Sequence, residues 1–146
     1  MTNVHATAIA FGNRGVLIRG APGSGKSELA LRMIDNLGFG RGTKPLRAKL
    51  IADDQVLLAR EGSEIVMRAP KTISGKMEIR GIGIIALPTK SKAKLVLVID
   101  LKPQAEIERM PHQADCLTDI LGLNIALYSI DPTASSAPSI IRSLLS

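Results

Sequence analysis

Residues Gly20 to Ser27 read GAPGSGKS, which fills G-x-x-x-x-G-K-[S/T] without a mismatch and follows the apolar run Gly15-Val16-Leu17-Ile18. That order of residue types makes a phosphate-binding loop. Its glycines, Gly20, Gly23 and Gly25, let backbone N–H groups turn inward around phosphate oxygens, with Ala21, Pro22 and Ser24 filling the loop between them; Lys26 reaches the outer phosphates and the Ser27 hydroxyl can ligate Mg²⁺. A helix starting at Lys26 or Ser27 points its positive dipole end at the same anion.

A phosphate loop needs a carboxylate to hold the metal or its waters, and transfer to a hydroxyl needs a group that takes the proton. Two segments offer one. Lys94-Leu95-Val96-Leu97-Val98-Ile99-Asp100 is an apolar strand ending in Asp, and Leu50-Ile51-Ala52-Asp53-Asp54 ends in two acids. Adjacent residues at a strand end point different ways, so Asp53 and Asp54 could divide the labour, one near Mg²⁺ and the other at the acceptor. Read without any site, Asp53-Asp54 is an ordinary turn and Asp100, before Lys102-Pro103, another.

The elements that must position these groups follow from periodicity. Val4 to Phe11 and Gly15 to Arg19 read as a hairpin around Gly12-Asn13-Arg14, running directly into the phosphate loop. Leu29, Ala30, Met33, Ile34 and Leu37 recur at helical spacing before Gly38. Lys49 to Ala52 is a short strand. Gln55 to Leu58 and Glu64 to Met67 form a second hairpin, Ala69 to Lys76 a loop, Glu78 to Ile85 an apolar run after two glycines, and Lys94 to Asp100 a strongly apolar strand. The pattern predicts a helix over Gln113 to Leu121, a last strand near Ile125 to Ile130 and a short helix over Ile140 to Leu145. The sum is one α/β domain over residues 1–146, rich in hairpins, with a mixed sheet in place of an all-parallel one.

Composition narrows the function classes. The 146 residues are 45% apolar and 22% charged, and only 2% are aromatic, so the core must be aliphatic. No run approaches a membrane span and the N-terminus lacks the basic start of a secretory signal, which predicts a cytoplasmic protein. The net charge of +6 favours an anionic partner. With two Phe, one Tyr and no Trp there are no stacking platforms for single-stranded nucleic acid. The basic clusters Arg41, Lys44, Arg47, Lys49 and Lys90, Lys92, Lys94 read as solvated loop surface. Cys116, the single cysteine, reads as a buried inert thiol, and His112 as a surface residue.

GAPGSGKSE (Gly20 to Glu28), LIADD (Leu50 to Asp54) and EIRGIGII (Glu78 to Ile85) occur in the order and spacing of the bacterial HPr kinase/phosphorylase family, whose signature the third resembles. The resemblance runs from Val4-His5 to the Asp131-Pro132 region and corresponds to the catalytic domain, as in the short alphaproteobacterial versions that lack the family's N-terminal domain. A weaker likeness, to the nucleotide domain of phosphoenolpyruvate carboxykinase, rests on the same loop and acid pair.

The resemblance implies an ATP- and Mg²⁺-dependent kinase that phosphorylates a serine of HPr, the phosphocarrier of the sugar phosphotransferase system, or of its nitrogen-related paralogue. It also implies a reverse reaction in which inorganic phosphate attacks phosphoserine and pyrophosphate leaves. Position by position, it extends the nucleotide site to Glu28, makes His5 the active-site histidine and Asp53 the acid/base, and puts Ser27, Asp54 and Glu78 at Mg²⁺. Arg80 becomes the signature base that steadies charge on the transferring group, and Asp100 falls back to a structural strand end. Family members form hexamers, so a homo-oligomer is implied. The stretch Ala69 to Lys76 is shorter than the family's active-site loop and the end of the chain lacks its longer basic helix. Two other readings fit the phosphate loop: a small-molecule kinase, and an ATP-bound regulatory module without turnover.

Overall fold

The computed structural model describes residues 1–146. Strands β1 (Thr2–Val4) and β2 (Thr7–Phe11) come from the first apolar segment, and β3 (Arg14–Arg19) pairs antiparallel with β2 before the chain enters the phosphate loop and helix α1 (Lys26–Asp35). After a basic loop come β4 (Lys49–Ala52), β5 (Val56–Glu61) and β6 (Glu64–Arg68). The ribbon strands β7 (Lys76–Ile79) and β8 (Gly83–Ala86) follow, then the ten-residue β9 (Lys92–Leu101), β10 (Leu117–Ile120), β11 (Leu123–Ile130) and helix α2 (Ala137–Leu144).

The main sheet is mixed, as expected. β9 runs parallel to β3 and β11 and antiparallel to β6, with β3 along one edge. Its other edge is shared: β6 takes Lys92 to Lys94 and β11 takes Leu97 to Leu101. β1 pairs with β5 and β2 with β4, so the two continuous segments Thr2–Phe11 and Lys49–Glu61 lie side by side and curl the sheet back toward itself.

Strand alternation sorts the side chains into two cores. Ala8, Ala10, Ala52 and Ala93 face the inside of the curl with Leu17, Val56, Leu58, Ile65 and Met67; small side chains suit so tight a bend. Ile9, Phe11, Val16, Ile18, Leu97 and Ile99 face the other way, toward Leu29, Met33 and Ile34 of α1 and Ile141 of α2. A bulge pairs Gly15 with Leu95 but Val16 with Leu97, leaving Val96 as the extra residue, and so Leu95 and Val98 share the curl's interior despite their odd spacing. Burying Leu29, Met33 and Ile34 stabilises α1 by about 2 kcal/mol per side chain.

Three expectations change. The helix predicted over Gln113 to Leu121 is a single 3-10 turn, Gln113–Asp115, followed by β10, which pairs with β11 through a two-residue turn at Leu121 and Gly122. Both turn residues have positive φ, 50° and 87°, the geometry that matches hairpin twist. Helix α1 ends at Asp35 with Asn36 as its cap, so Leu37 lies outside it and is half exposed. Cys116 is only partly buried, its thiol donating to the His112 carbonyl at 3.4 Å.

Candidate active site

Lys26 is the first residue of α1, and Gly25 caps it with φ 102°, a conformation only glycine takes without strain. No side chain caps this end. The first helical bond runs from the Leu29 amide to the Gly25 carbonyl at 3.0 Å, so the N–H groups of Lys26, Ser27 and Glu28 have no intrahelical acceptor. Lys26 is 7% exposed, and its Nζ donates to the carbonyls of Gly20 (2.8 Å) and Ala21 (3.1 Å), which holds the ammonium inside the loop. The Ser24 hydroxyl is buried with no partner. Free amides, a caged ammonium and an orphaned hydroxyl together fit a bound phosphate chain.

The acid pair sits where β4 passes into β5, facing the break between β1 and β2. Asp53 is 7% exposed, and its Oδ1 accepts from the Ser27 hydroxyl at 2.7 Å and from the fully buried Thr7 hydroxyl at 2.9 Å. Thr7 carries no motif, and its one signal in the sequence is a hydroxyl in an otherwise apolar strand. Asp54 has φ 70°, the left-handed region that a non-glycine residue enters only when its surroundings hold it there. Its carboxylate is exposed, with His5 Nε2 2.7 Å from Oδ1. The two adjacent acids therefore point apart, one behind the phosphate loop and one into the open.

A polar cleft of about 680 Å³ joins these parts. Its walls include Pro22, Gly23, Gly25, Lys26, Ser27 and Glu28 from the loop, and His5, Thr7 and Asp54 from the strand breaks. Glu78, Arg80, Gly81, Ile82 and Gly83 come from the ribbon. All the residues expected at the site thus line or back one cavity except Gly20, Ala21 and Ser24, which form the loop's base and rear. Of the two acids, expected at the reacting hydroxyl and at the metal respectively, Asp53 backs the cleft and Asp54 lines it. Glu78 and Arg80 share the exposed side of the ribbon, two residues apart.

No cluster of three or more His, Cys, Asp or Glu side chains stands ready to cage a metal. Ser27, Asp54 and Glu78, the residues expected at Mg²⁺, line the cleft with Asp53 behind Ser27, and hard oxygen donors of this kind fit that ion. Asp100 is committed elsewhere: Arg19 forks onto its two oxygens at 2.7 and 3.0 Å, making it the structural strand end anticipated for it. No helix is long and apolar enough to cross a membrane.

The family model for the HPr Serine kinase C-terminal domain matches residues 1–141. HPr kinase/phosphorylase of Burkholderia lata is 33% identical over 141 residues, covering 90% of this chain and 40% of that protein, and that of Burkholderia cenocepacia is 32% identical over the same length. The chain thus spans about 40% of the length of these relatives. The solved structure of the Hpr(Ser) kinase/phosphatase from Coxiella burnetii superposes with a TM-score of 0.77 at 27% identity, covering 99% of this chain and 88% of that one. With a phosphate loop, an acid pair and a glycine-hinged ribbon converging on one cleft, and a family match over nearly every residue, the chain belongs to the HPr Serine kinase C-terminal domain family.

Proposed function

We propose that this chain is the catalytic domain of a cytoplasmic, ATP- and Mg²⁺-dependent protein-serine kinase acting on an HPr-type phosphocarrier, with phosphorylase activity as the reverse direction. The observation that carries the reading is the exposed Asp54 carboxylate, paired with His5 and opening into the same cleft as Lys26 and Ser27. When bound, Mg-ATP supplies the phosphoryl group and the charge that offsets its oxygens. Lys26 and the free amides at the start of α1 hold phosphate oxygens. Asp53, bonded to Ser27, fixes that hydroxyl on the metal side.

Asp54 would take the proton from the serine hydroxyl as its oxygen bonds to the γ-phosphorus and the bond from that phosphorus to the bridging oxygen breaks, with ADP as the leaving group; His5 orients the carboxylate for it. We therefore propose Asp54 as the base and Asp53 on the metal side, a reading supported by the 7% exposure of Asp53, whose Oδ1 already accepts from the buried Thr7 hydroxyl and the half-buried Ser27 hydroxyl. Arg80, across the cleft, neutralises charge on the transferring group, and Glu78 beside it completes the polar wall.

The test is to mix the protein with Mg-ATP and HPr-type carriers and locate any added phosphate by fragment-ion mass spectrometry. Phosphoserine on a carrier, lost in Asp54→Asn, is the expected result. Tight ATP binding with transfer to no carrier would overturn the reading in favour of a regulatory module.

A further inference from the structure

Three consecutive residues at the break between β1 and β2 grip the acid pair. His5 Nε2 lies 2.7 Å from Asp54 Oδ1, the Ala6 amide donates to the Asp54 carbonyl at 3.2 Å, and the Thr7 hydroxyl donates to Asp53 Oδ1 at 2.9 Å. Thr7 opens β2, and strand alternation puts its side chain on the same face as Ile9 and Phe11, the face that α1 covers. It is fully buried, and the bond to Asp53 is the only one its hydroxyl makes.

The hydroxyls of Thr7 and Ser27 land on the same carboxylate oxygen. Asp53 Oδ2 accepts from no protein group and is not sealed from solvent, since Ser24 Oγ alone is both buried and unpartnered. The one hydrogen of the Ser27 hydroxyl points at Asp53, so its lone pairs are free for the cleft that Ser27 lines. An aspartate carboxylate turns easily about its last bond, and a single donor does not fix it.

We infer that Thr7 is a positioning residue for the metal side of the site. Its hydroxyl fixes the rotation of the Asp53 carboxylate, so that Oδ1 takes the Ser27 hydrogen while Oδ2 and the Ser27 lone pairs stay open to Mg²⁺ and its waters. The inference rests on the metal-side reading of Asp53 above and adds a residue outside the phosphate loop and the acid pair.

Thr7→Val removes the hydroxyl and keeps the shape of the side chain. Isothermal titration with ATP should then give a Kd raised about tenfold in the presence of Mg²⁺, from the loss of one hydrogen bond to a charged group. In EDTA, where Lys26 and the α1 amides hold the phosphates alone, the Kd should not change. Thr7→Ser should restore the Mg²⁺-dependent affinity. A residue that only packs would move both Kd values together or neither, so an unchanged Mg-ATP Kd, or an equal loss in EDTA, would overturn the inference. A tenfold loss in Thr7→Ser would overturn it too, because the methyl and not the hydroxyl would then carry the effect; that arm holds even if Thr7→Val does not fold. Wild-type affinity indifferent to Mg²⁺ would remove the metal-side reading and this inference with it, an outcome distinct from a Mg²⁺-dependent wild type that Thr7→Val leaves unchanged.

Discussion

The hydroxyl of Ser27, at the start of α1, donates to the buried carboxylate of Asp53 at 2.7 Å, tying the phosphate loop to the end of β4. The adjacent Asp54 faces the cleft instead. Replacing each acid by its amide should therefore give different defects. Asp54→Asn should lower kcat by roughly 10²- to 10⁴-fold with nucleotide affinity retained. Asp53→Asn should weaken Mg²⁺-dependent nucleotide binding, and the amide's misplaced donors should destabilise the fold by about 1–3 kcal/mol. Isothermal titration beside steady-state kinetics separates the two, and matching profiles would refute the division of roles.

Lys26→Ala removes the ammonium that Gly20 and Ala21 now hold. Nucleotide affinity should fall at least about a hundredfold, because a desolvated cation facing phosphate oxygens forms strong charge-assisted bonds. Unchanged ATP affinity in this variant would remove the phosphate-loop assignment.

Asp54 also stores conformational strain at φ 70°. Asp54→Gly should raise stability by about 1 kcal/mol while abolishing turnover, a trade expected where backbone strain serves a site. Thermal unfolding and a transfer assay on the same preparation check both halves.

These acids were legible as a pair but not individually. LIADD marks a strand end, yet which carboxylate turns inward depends on Thr7, forty-six residues away on β2, and on the kink that faces it. The phosphate loop, by contrast, is local chemistry and reads directly. So do the first two hairpins, whose Gly12 and Gly62 turns take the positive φ that glycine supplies. The β10–β11 hairpin escaped because its turn is Leu121-Gly122, without the Asn or Asp that usually flags one, and because Leu117 to Ile120 is too short to separate strand from helix by period.

Arg142 of α2 is 4% exposed and has no acidic partner; its guanidinium donates to the carbonyls of Leu46, Met33 and Asn36. Burial, with Arg47 nearby, pushes its pKa below the ordinary arginine value. Arg142→Met would relieve the buried charge but orphan the Leu46 and Asn36 carbonyls, while that of Met33 keeps the Ala48 amide, so the net loss should be about 2 kcal/mol, a drop of roughly 5 °C in Tm. A Tm equal to wild type would mean that water replaces the guanidinium.

The Asp131 carboxylate accepts from the Thr133 hydroxyl and amide and from the Gln104 amide, which lowers its pKa from the usual carboxylate value. A carboxyl with a depressed folded-state pKa contributes stability above its unfolded value and loses it as pH falls through the folded one. Asp131→Ala should therefore unfold at a lower temperature than wild type at neutral pH, and the gap should close below the usual carboxylate range. A gap that persists undiminished well below that range would show that the charge is irrelevant.

Because β9 is hydrogen-bonded along both edges while the ribbon pairs only with itself, the molecule has a built-in order of opening. Amide exchange from β9 requires loss of the whole sheet, whereas the ribbon is held by Met77, Ile79, Ile85 and Leu87 and by the two hydrogen bonds that tie Pro88 and Lys90 to Leu50 just past β8. The phosphate-gripping half of the cleft is thus a fixed frame. The ribbon half should exchange its amides ahead of that frame, in openings that do not require global unfolding.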